Sequence, residues 1–237
     1  INSPILNKKI DVGIILSFYK SQPVEFNKTN RKEFYRINNK ILENSLTICR
    51  RNNIRKIIYL SSSAVYSKNL HIKKISEKFK LRPNNIYGKF KLKAERKILD
   101  YGVKFNLNCI NLRLFNYYTK RGHILIENLK KQIKKGKILI YGDGNQCRDF
   151  LHIDDISDAL IKITNSKIRN TTCNLCSGNP TKINKILYKL ISITNKNLNN
   201  IEYTGKTKSS FYLVGENKKL KKLIGWKIKN NFNNFIK

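Results

Sequence analysis

Tyr87 and Lys91 stand four residues apart in the stretch NNIYGKFKLKAE, residues 84–95. On a helix that spacing puts both side chains on one face. The flanks read as a helix start. Asn84 and Asn85 offer caps, and Lys89, Leu92, Lys93, Ala94 and Glu95 are good helix formers. A tyrosine beside a lysine can serve as a general base. A free phenol has a pKa near ~10, too high for that work at neutral pH. An ammonium group about 4 Å away contributes roughly 4 kcal/mol at an effective dielectric near 20, or some three pKa units before desolvation is counted. Such pairs also occur on ordinary surface helices, so the reading depends on what the rest of the chain supplies.

Other polar features sit where apolar runs end. Ser61, Ser62 and Ser63 close KIIYLSSS, and Asn116 follows NCINLRLF. The segment GDGNQ reads as a tight turn, because two glycines without a following helix start do not make a phosphate loop. Cys173 and Cys176 form a lone CxxC. A zinc site needs a second such pair or two suitably spaced histidines, and His71, His123 and His152 lie far apart. TTCNLCSG reads as a short strand running into a turn, with the two cysteines as buried free thiols. No metal site is expected.

These residues need elements to hold them. IDVGIILS at 10–17 is a short apolar run fit for a strand buried on both faces. Residues 30–51 carry Phe34, Ile37, Ile41, Leu42, Leu46 and Cys49, the stripe of an amphipathic helix. Residues 56–63 form a second buried strand, the Tyr87 helix follows, and 108–115 form a third strand. Beyond them the pattern predicts a helix at 124–135, a strand and turn at 137–144, a helix at 154–165 and a short strand at CNLC. It continues with a helix at 181–193, a strand at IEYT and a last helix at 216–224. Strands alternating with helices predict an α/β fold built on a parallel sheet. In such sheets ligands sit at the carboxyl ends of the strands, where Ser61–Ser63 and Asn116 stand.

With 237 residues the chain has room for one large domain or two small ones, and 40% hydrophobic residues suffice for a core. No apolar run reaches the length of a membrane span and no signal peptide opens the sequence, so a soluble, cytoplasmic protein is expected. The formal net charge is +34. That raises a reading from another class, a basic nucleic-acid-binding protein. The lysines, however, are spread along the whole chain beside abundant Asn, Ile, Tyr and Phe, the pattern of drift toward A/T-rich codons. The sequence starts at Ile1 and holds no methionine, which we read as a fragment or a chain whose beginning was not recorded.

Six segments in order carry a resemblance. They are YLSSSAVYS, NNIYGKFK, NLRLFNYYTKRG, YGDGNQCRDFLHIDDISDAL, CNLCSGNPTKINKI and ENKKLKKLIGWK. Together they are similar to the extended short-chain dehydrogenase/reductase family, in particular its nucleotide-sugar epimerases and dehydratases, from about residue 10 to about residue 228. The resemblance implies a Rossmann-like doubly wound parallel sheet, N-terminally truncated, with a smaller C-terminal substrate-binding α/β region. Residues 1–115 would be the partial NAD(P)-binding domain. Residues 116–237 would mainly bind the nucleotide sugar, with 151–176 returning to the Rossmann domain. Tyr87 and Lys91 match the family's catalytic Tyr-x-x-x-Lys. Tyr66 points back to Ser62 as the catalytic hydroxyl, which would hydrogen-bond the forming carbonyl oxygen. Asn38, Ser61 and Phe115, with Tyr87 and Lys91, would hold the cofactor, NAD with NADP not excluded. Ser62, Asn116 and Arg148 would hold the substrate, the planar fork of Arg148 suiting a diphosphate. The family often forms homodimers through helices matching 30–51 and 87–101.

The match has gaps. The glycine-rich dinucleotide fingerprint, which should follow the family's first strand with an acidic residue about 20 positions later, is absent; the chain begins at what resembles the fourth strand, so roughly two βα units of ~30 residues each are missing from the pattern. ILSF at Ile15–Phe18 stands where HLAA is usual, and Phe18 would crowd the cofactor. Thr119 and Lys120 replace the common Gly-Pro. Family dehydratases carry Asp-Glu after the catalytic Thr, whereas Ser63 and Ala64 follow Ser62 here. The expected reaction is therefore 4-epimerisation through a transient 4-keto sugar, with a 4-keto reductase as the alternative.

Overall fold

A computed structural model describes residues 9–19, 28–67, 73–194, 200–204 and 211–235. His71 lies outside them. The architecture is a parallel sheet with flanking helices, Rossmann-like α/β. The chain folds as two compact units.

The first unit takes residues up to Ser67, Leu81–Arg113 and Ser166–Cys173. Its strands are β1 (Val12–Ile15), β2 (Lys56–Ser62), β3 (Asn108–Leu114) and a later one at Thr171–Leu175, arranged side by side in that order. β1 runs parallel to β2, with Val12 opposite Lys56 and Ile15 opposite Tyr59. The expectation that this first strand is buried on both faces is corrected. β1 lies at the sheet's edge among the described residues, and Ile14 and Leu16 are 42% and 56% exposed.

Helix α1 (Lys28–Arg51) buries Phe34, Leu42, Leu46 and Cys49, residues spaced three, four or eight apart on one stripe. Helix α2 (Ile86–Phe105) begins at Asn85, whose side chain accepts from the Gly88 amide at 2.7 Å. That satisfies one of the donors a helix start leaves open. It ends at Asn106, which adopts the left-handed conformation at φ 51°. Phe90, Ala94 and Ile98 of α2 meet Ile57, Tyr59 and Cys109 in the unit's core.

The second unit holds residues 73–80, Leu114–Asn165 and Asn174 onward. Its elements are β4 (Asn116–Tyr118), α3 (Ile124–Lys135), β5 (Ile138–Tyr141), β6 (Cys147–His152) and α4 (Ile153–Thr164). The strand at Thr171–Leu175 is β7. After it come β8 (Pro180–Lys182), α5 (Ile183–Thr194), β9 (Ile201–Thr204), β10 (Tyr212–Leu213), α6 (Lys218–Ile224) and α7 (Phe232–Phe235). β6 is the organising strand: β4 and β10 pair with it in parallel and β8 antiparallel. β5 pairs separately with β9. Phe150 of β6 stacks on Phe232 at 4.2 Å and shares the core with Tyr118, Ile126, Leu129 and Leu187.

The GDGNQ segment is a turn, as expected. Gly142 and Gly144 both take positive φ, and Asp143 Oδ1 accepts from the Asn145 amide at 2.9 Å. Cys173 and Cys176 are buried thiols.

Candidate active site

Strand β2 ends at Ser62, which caps a one-turn 3-10 helix at Ser63–Val65. The Ser62 hydroxyl oxygen accepts from the Ala64 amide at 3.2 Å, and the Tyr66 amide closes the turn on the Ser63 carbonyl at 3.1 Å. The first turn of α2 packs directly on this segment. A Cβ at Gly88 would overlap the Ala64 carbonyl oxygen and lie 2.9 Å from Pro83 Cβ. The missing side chain is therefore what lets the helix carrying Tyr87 approach the turn carrying Ser62. Gly88→Ala is expected to cost about 1–3 kcal/mol, the usual penalty of overpacking, and to lower turnover as well. Thermal unfolding would check the first effect, and a melting temperature equal to the parent's would show that the two elements can separate freely.

Lys91 follows one turn later and is 4% exposed. Its ammonium donates to the Leu60 carbonyl at 2.8 Å. It also lies 4.6 Å from the ring centre of Tyr59, 5.0 Å from Phe18 and 5.8 Å from Tyr87. Phe18, the bulky residue of ILSF, stands edge-on to Tyr87 at 5.0 Å. The Tyr59 hydroxyl is buried among these groups without a hydrogen-bond partner, and burial, with the charges of Tyr87 and Glu95, pushes its pKa up. The structure thus gathers Ser62, Tyr87 and Lys91 around the carboxyl end of β2.

Burial lowers the Lys91 pKa to about 8 against the opposing pull of Glu95. Two consequences follow from the sign. Between about pH 8 and the ordinary lysine value the unfolded chain binds the extra proton, so this group makes stability rise with pH there. Turnover should fall on the alkaline side through the same titration, because the site loses its cation. We expect an alkaline limb near pH 8 in kcat/KM, and a Lys91→Met variant that melts higher than the parent at pH 7 while losing activity. A limb near pH 10, or a variant that melts lower, would contradict this account.

Behind the site lies a buried ion pair that the sequence reading did not single out. Glu95 is 3% exposed and Arg113 is 4% exposed. Arg113 reaches Glu95 through Nε at 3.0 and 3.2 Å and through Nη2 at 2.7 Å. Ser61 Oγ donates to Glu95 at 2.5 Å. Asn38 is also committed. Its oxygen accepts from the Tyr19 amide at 2.9 Å, and its nitrogen donates to the carbonyls of Tyr19 at 3.1 Å and Phe34 at 2.9 Å.

Asn116 and Arg148, expected to hold the substrate, stand on β4 and β6. Asn116 sits opposite Phe150, and its Nδ2 donates to the Asp149 carbonyl at 3.1 Å. Asn116 and Arg148 line one cavity of about 340 Å³ with His123, Gln132, Tyr141 and Gln146. Arg148 donates to the Cys147 carbonyl at 3.3 Å, and no carboxylate pairs with it among the described residues. Burial lowers its pKa. Asp149, its neighbour, faces elsewhere and is fully buried. It accepts from the Ser177 amide and hydroxyl, both at 2.7 Å, from Gly178 at 2.8 Å and from Gly215 at 3.2 Å. Phe115 is 4% exposed, its ring against Gly215.

The chain is similar to several known proteins. The pattern described as "NAD dependent epimerase/dehydratase family" matches residues 4–176. An uncharacterized UDP-glucose epimerase of Bacillus subtilis is 33% identical over 117 residues, 48% of this chain and 36% of that protein. A GDP-6-deoxy-D-mannose reductase of Pseudomonas aeruginosa is 25% identical over 181 residues, 72% and 60% of the two chains. Among solved structures, a UDP-glucuronic acid 4-epimerase from Bacillus cereus in complex with NAD superposes with a TM-score of 0.81 at 23% identity, over 100% of this chain and 77% of that one. The chain spans about half the length of the curated relatives it matches. Among the described residues no helix is long and apolar enough to cross a membrane.

Proposed function

Because this chain belongs to the NAD dependent epimerase/dehydratase family, we propose that it supplies the catalytic and nucleotide-sugar-binding groups of a 4-epimerase. The observation that supports this most is the clustering of Ser62, Tyr87 and Lys91 at the end of β2. In this reading Tyr87 takes the proton of the sugar C4 hydroxyl as hydride leaves the same carbon, and Ser62 donates a hydrogen bond to the carbonyl oxygen that forms. The 4-keto sugar turns over, hydride returns to its other face, and Tyr87 gives the proton back. Arg148 faces the diphosphate and Asn116 the sugar nucleotide.

The residues around Lys91 fit a nicotinamide ribose. An ammonium has three donors, one is spent on Leu60, and the other two meet only aromatic faces among the described residues, leaving them for ribose hydroxyls. NAD supplies the acceptor and donor of hydride when bound. Asn38 acts on that site through the backbone at Tyr19, and Phe18 forms one wall of it. Ser61 and Phe115 belong to the same proposal. A second copy of the chain packing through α1 and α2 is part of it too, supported by the exposure of Ile48 and Val103 on those helices.

Incubation with NAD and UDP-glucose tests the reading. A 4-epimerase should form UDP-galactose, or convert a related pair of UDP-sugars, with no net change in nicotinamide absorbance. The similarity to a GDP-6-deoxy-D-mannose reductase favours one other reading, a 4-keto reductase. Stoichiometric oxidation of NADPH by a 4-keto sugar would establish that reading and overturn the first.

A further inference from the structure

The Ser62 hydroxyl belongs to a short turn, and a turn of this kind does not by itself fix an oxygen to a fraction of an ångström. The two residues that bound it are Ser61 and Tyr66. Both end on the same buried ion pair. Ser61 Oγ donates to Glu95 Oε1, and Arg113 Nη1 donates to the Tyr66 hydroxyl at 3.1 Å with its guanidinium 5.0 Å from the centre of the Tyr66 ring. Between these anchors lie only Ser62 and the 3-10 turn it caps. Glu95 stands four residues beyond Lys91 and eight beyond Tyr87, so base, cation and anchor share one face of α2.

From this arrangement we infer that Glu95, Arg113 and Tyr66 are positioning residues, a clamp that fixes the Ser62 hydroxyl relative to Tyr87 from both ends of its turn. The inference rests on the functional reading above and adds residues to it. A buried ion pair is weak evidence for stability, since well-packed apolar residues often do as well. This pair lies on two elements, α2 and β3, and reaches a third, the turn, through two separate hydroxyls. A role confined to holding the core together would not need both hydroxyls, whereas catalysis is sensitive to displacements of about 1 Å in the position of a reacting group.

The test removes one hydroxyl and keeps the ring. In the full-length protein Tyr66→Phe should lower kcat about tenfold or more, with KM for the nucleotide sugar and the melting temperature nearly unchanged. In a Ser62→Ala background the same change should have no further effect on kcat, because Tyr66 acts through Ser62. Arg113→Lys, which keeps the charge and loses the fork, should behave like Tyr66→Phe. An equal loss in both backgrounds, or a drop in melting temperature with kcat intact, overturns the clamp. If the parent turns over no nucleotide sugar, the functional reading falls and amide hydrogen exchange decides the clamp separately. Exchange at Ala64 and Tyr66 that quickens in Tyr66→Phe while β2 stays protected supports it, and unchanged exchange overturns it.

Discussion

Replacing Tyr87 by phenylalanine is expected to lower turnover about 10²–10⁴-fold while nucleotide-sugar affinity stays nearly unchanged. The substitution removes one oxygen and leaves the ring that Phe18 meets edge-on at 5.0 Å. The packing around Lys91 is therefore retained, and the loss falls on proton transfer alone. The oxygen's work is done mainly in the transition state, where the C4 hydroxyl gives up its proton, so kcat should carry the whole effect and KM little of it. Measuring kcat and nucleotide-sugar binding separately checks this. Turnover within a few-fold of the parent would remove Tyr87 from the chemistry.

Asp149→Ala should be the most damaging single change for the second unit, with an expected loss of at least about 3 kcal/mol. It leaves four donors, from Ser177 twice, Gly178 and Gly215, without their acceptor in a site with no exposure. Each orphaned buried donor costs about 1–3 kcal/mol, though neighbouring losses do not add in full. The carboxylate ties β6 to the loop after β7 and to the segment after β10. Arg148 and Asn116 are on or against β6, so under the proposed function nucleotide-sugar affinity should weaken together with stability. Asp149→Asn is milder in volume but turns one acceptor into a donor facing N–H groups, and it should cost nearly as much. Denaturant unfolding of both variants is the measurement, and a loss below about 1 kcal/mol would mean that water fills the place of the carboxylate.

The longer helices are readable because their apolar stripes are long, whereas the four-residue α7 carries no stripe. The 30–51 stripe became α1 and the 124–135 stripe became α3. β2 and β3 were readable because both are buried runs of seven residues. β4, β8 and β10 were not, since two or three residues carry no periodicity. β6 was missed for another reason: Arg148 and Asp149 break its apolar run, and only the pairing of three neighbours with it shows why charges stand in a strand. The first strand looked buried on both faces because Val12–Ile15 is apolar throughout, but a run of that kind reports composition and not its place in the sheet. Among site residues, Tyr87 and Lys91 announced themselves by spacing. Glu95 continues the same spacing, and Arg113 is a lone charge inside a buried strand, so both had signals that make sense only when read together. Gly88 had none, because the need for a bare backbone there comes from Ala64, which is distant in sequence.

The face shared by Tyr87, Lys91 and Glu95 also determines which changes in chain length this segment can tolerate. Each residue of an α-helix turns by about 100°, so one residue inserted between Tyr87 and Lys91 would swing everything after it onto another side. The ammonium would leave Leu60 and the carboxylate would leave Arg113 in a single event, though no side chain had been altered. Substitutions along α2 can be graded from harmless to severe. Insertions and deletions there cannot, and variation in the number of residues should be confined to turns such as the one from Gly142 to Gly144.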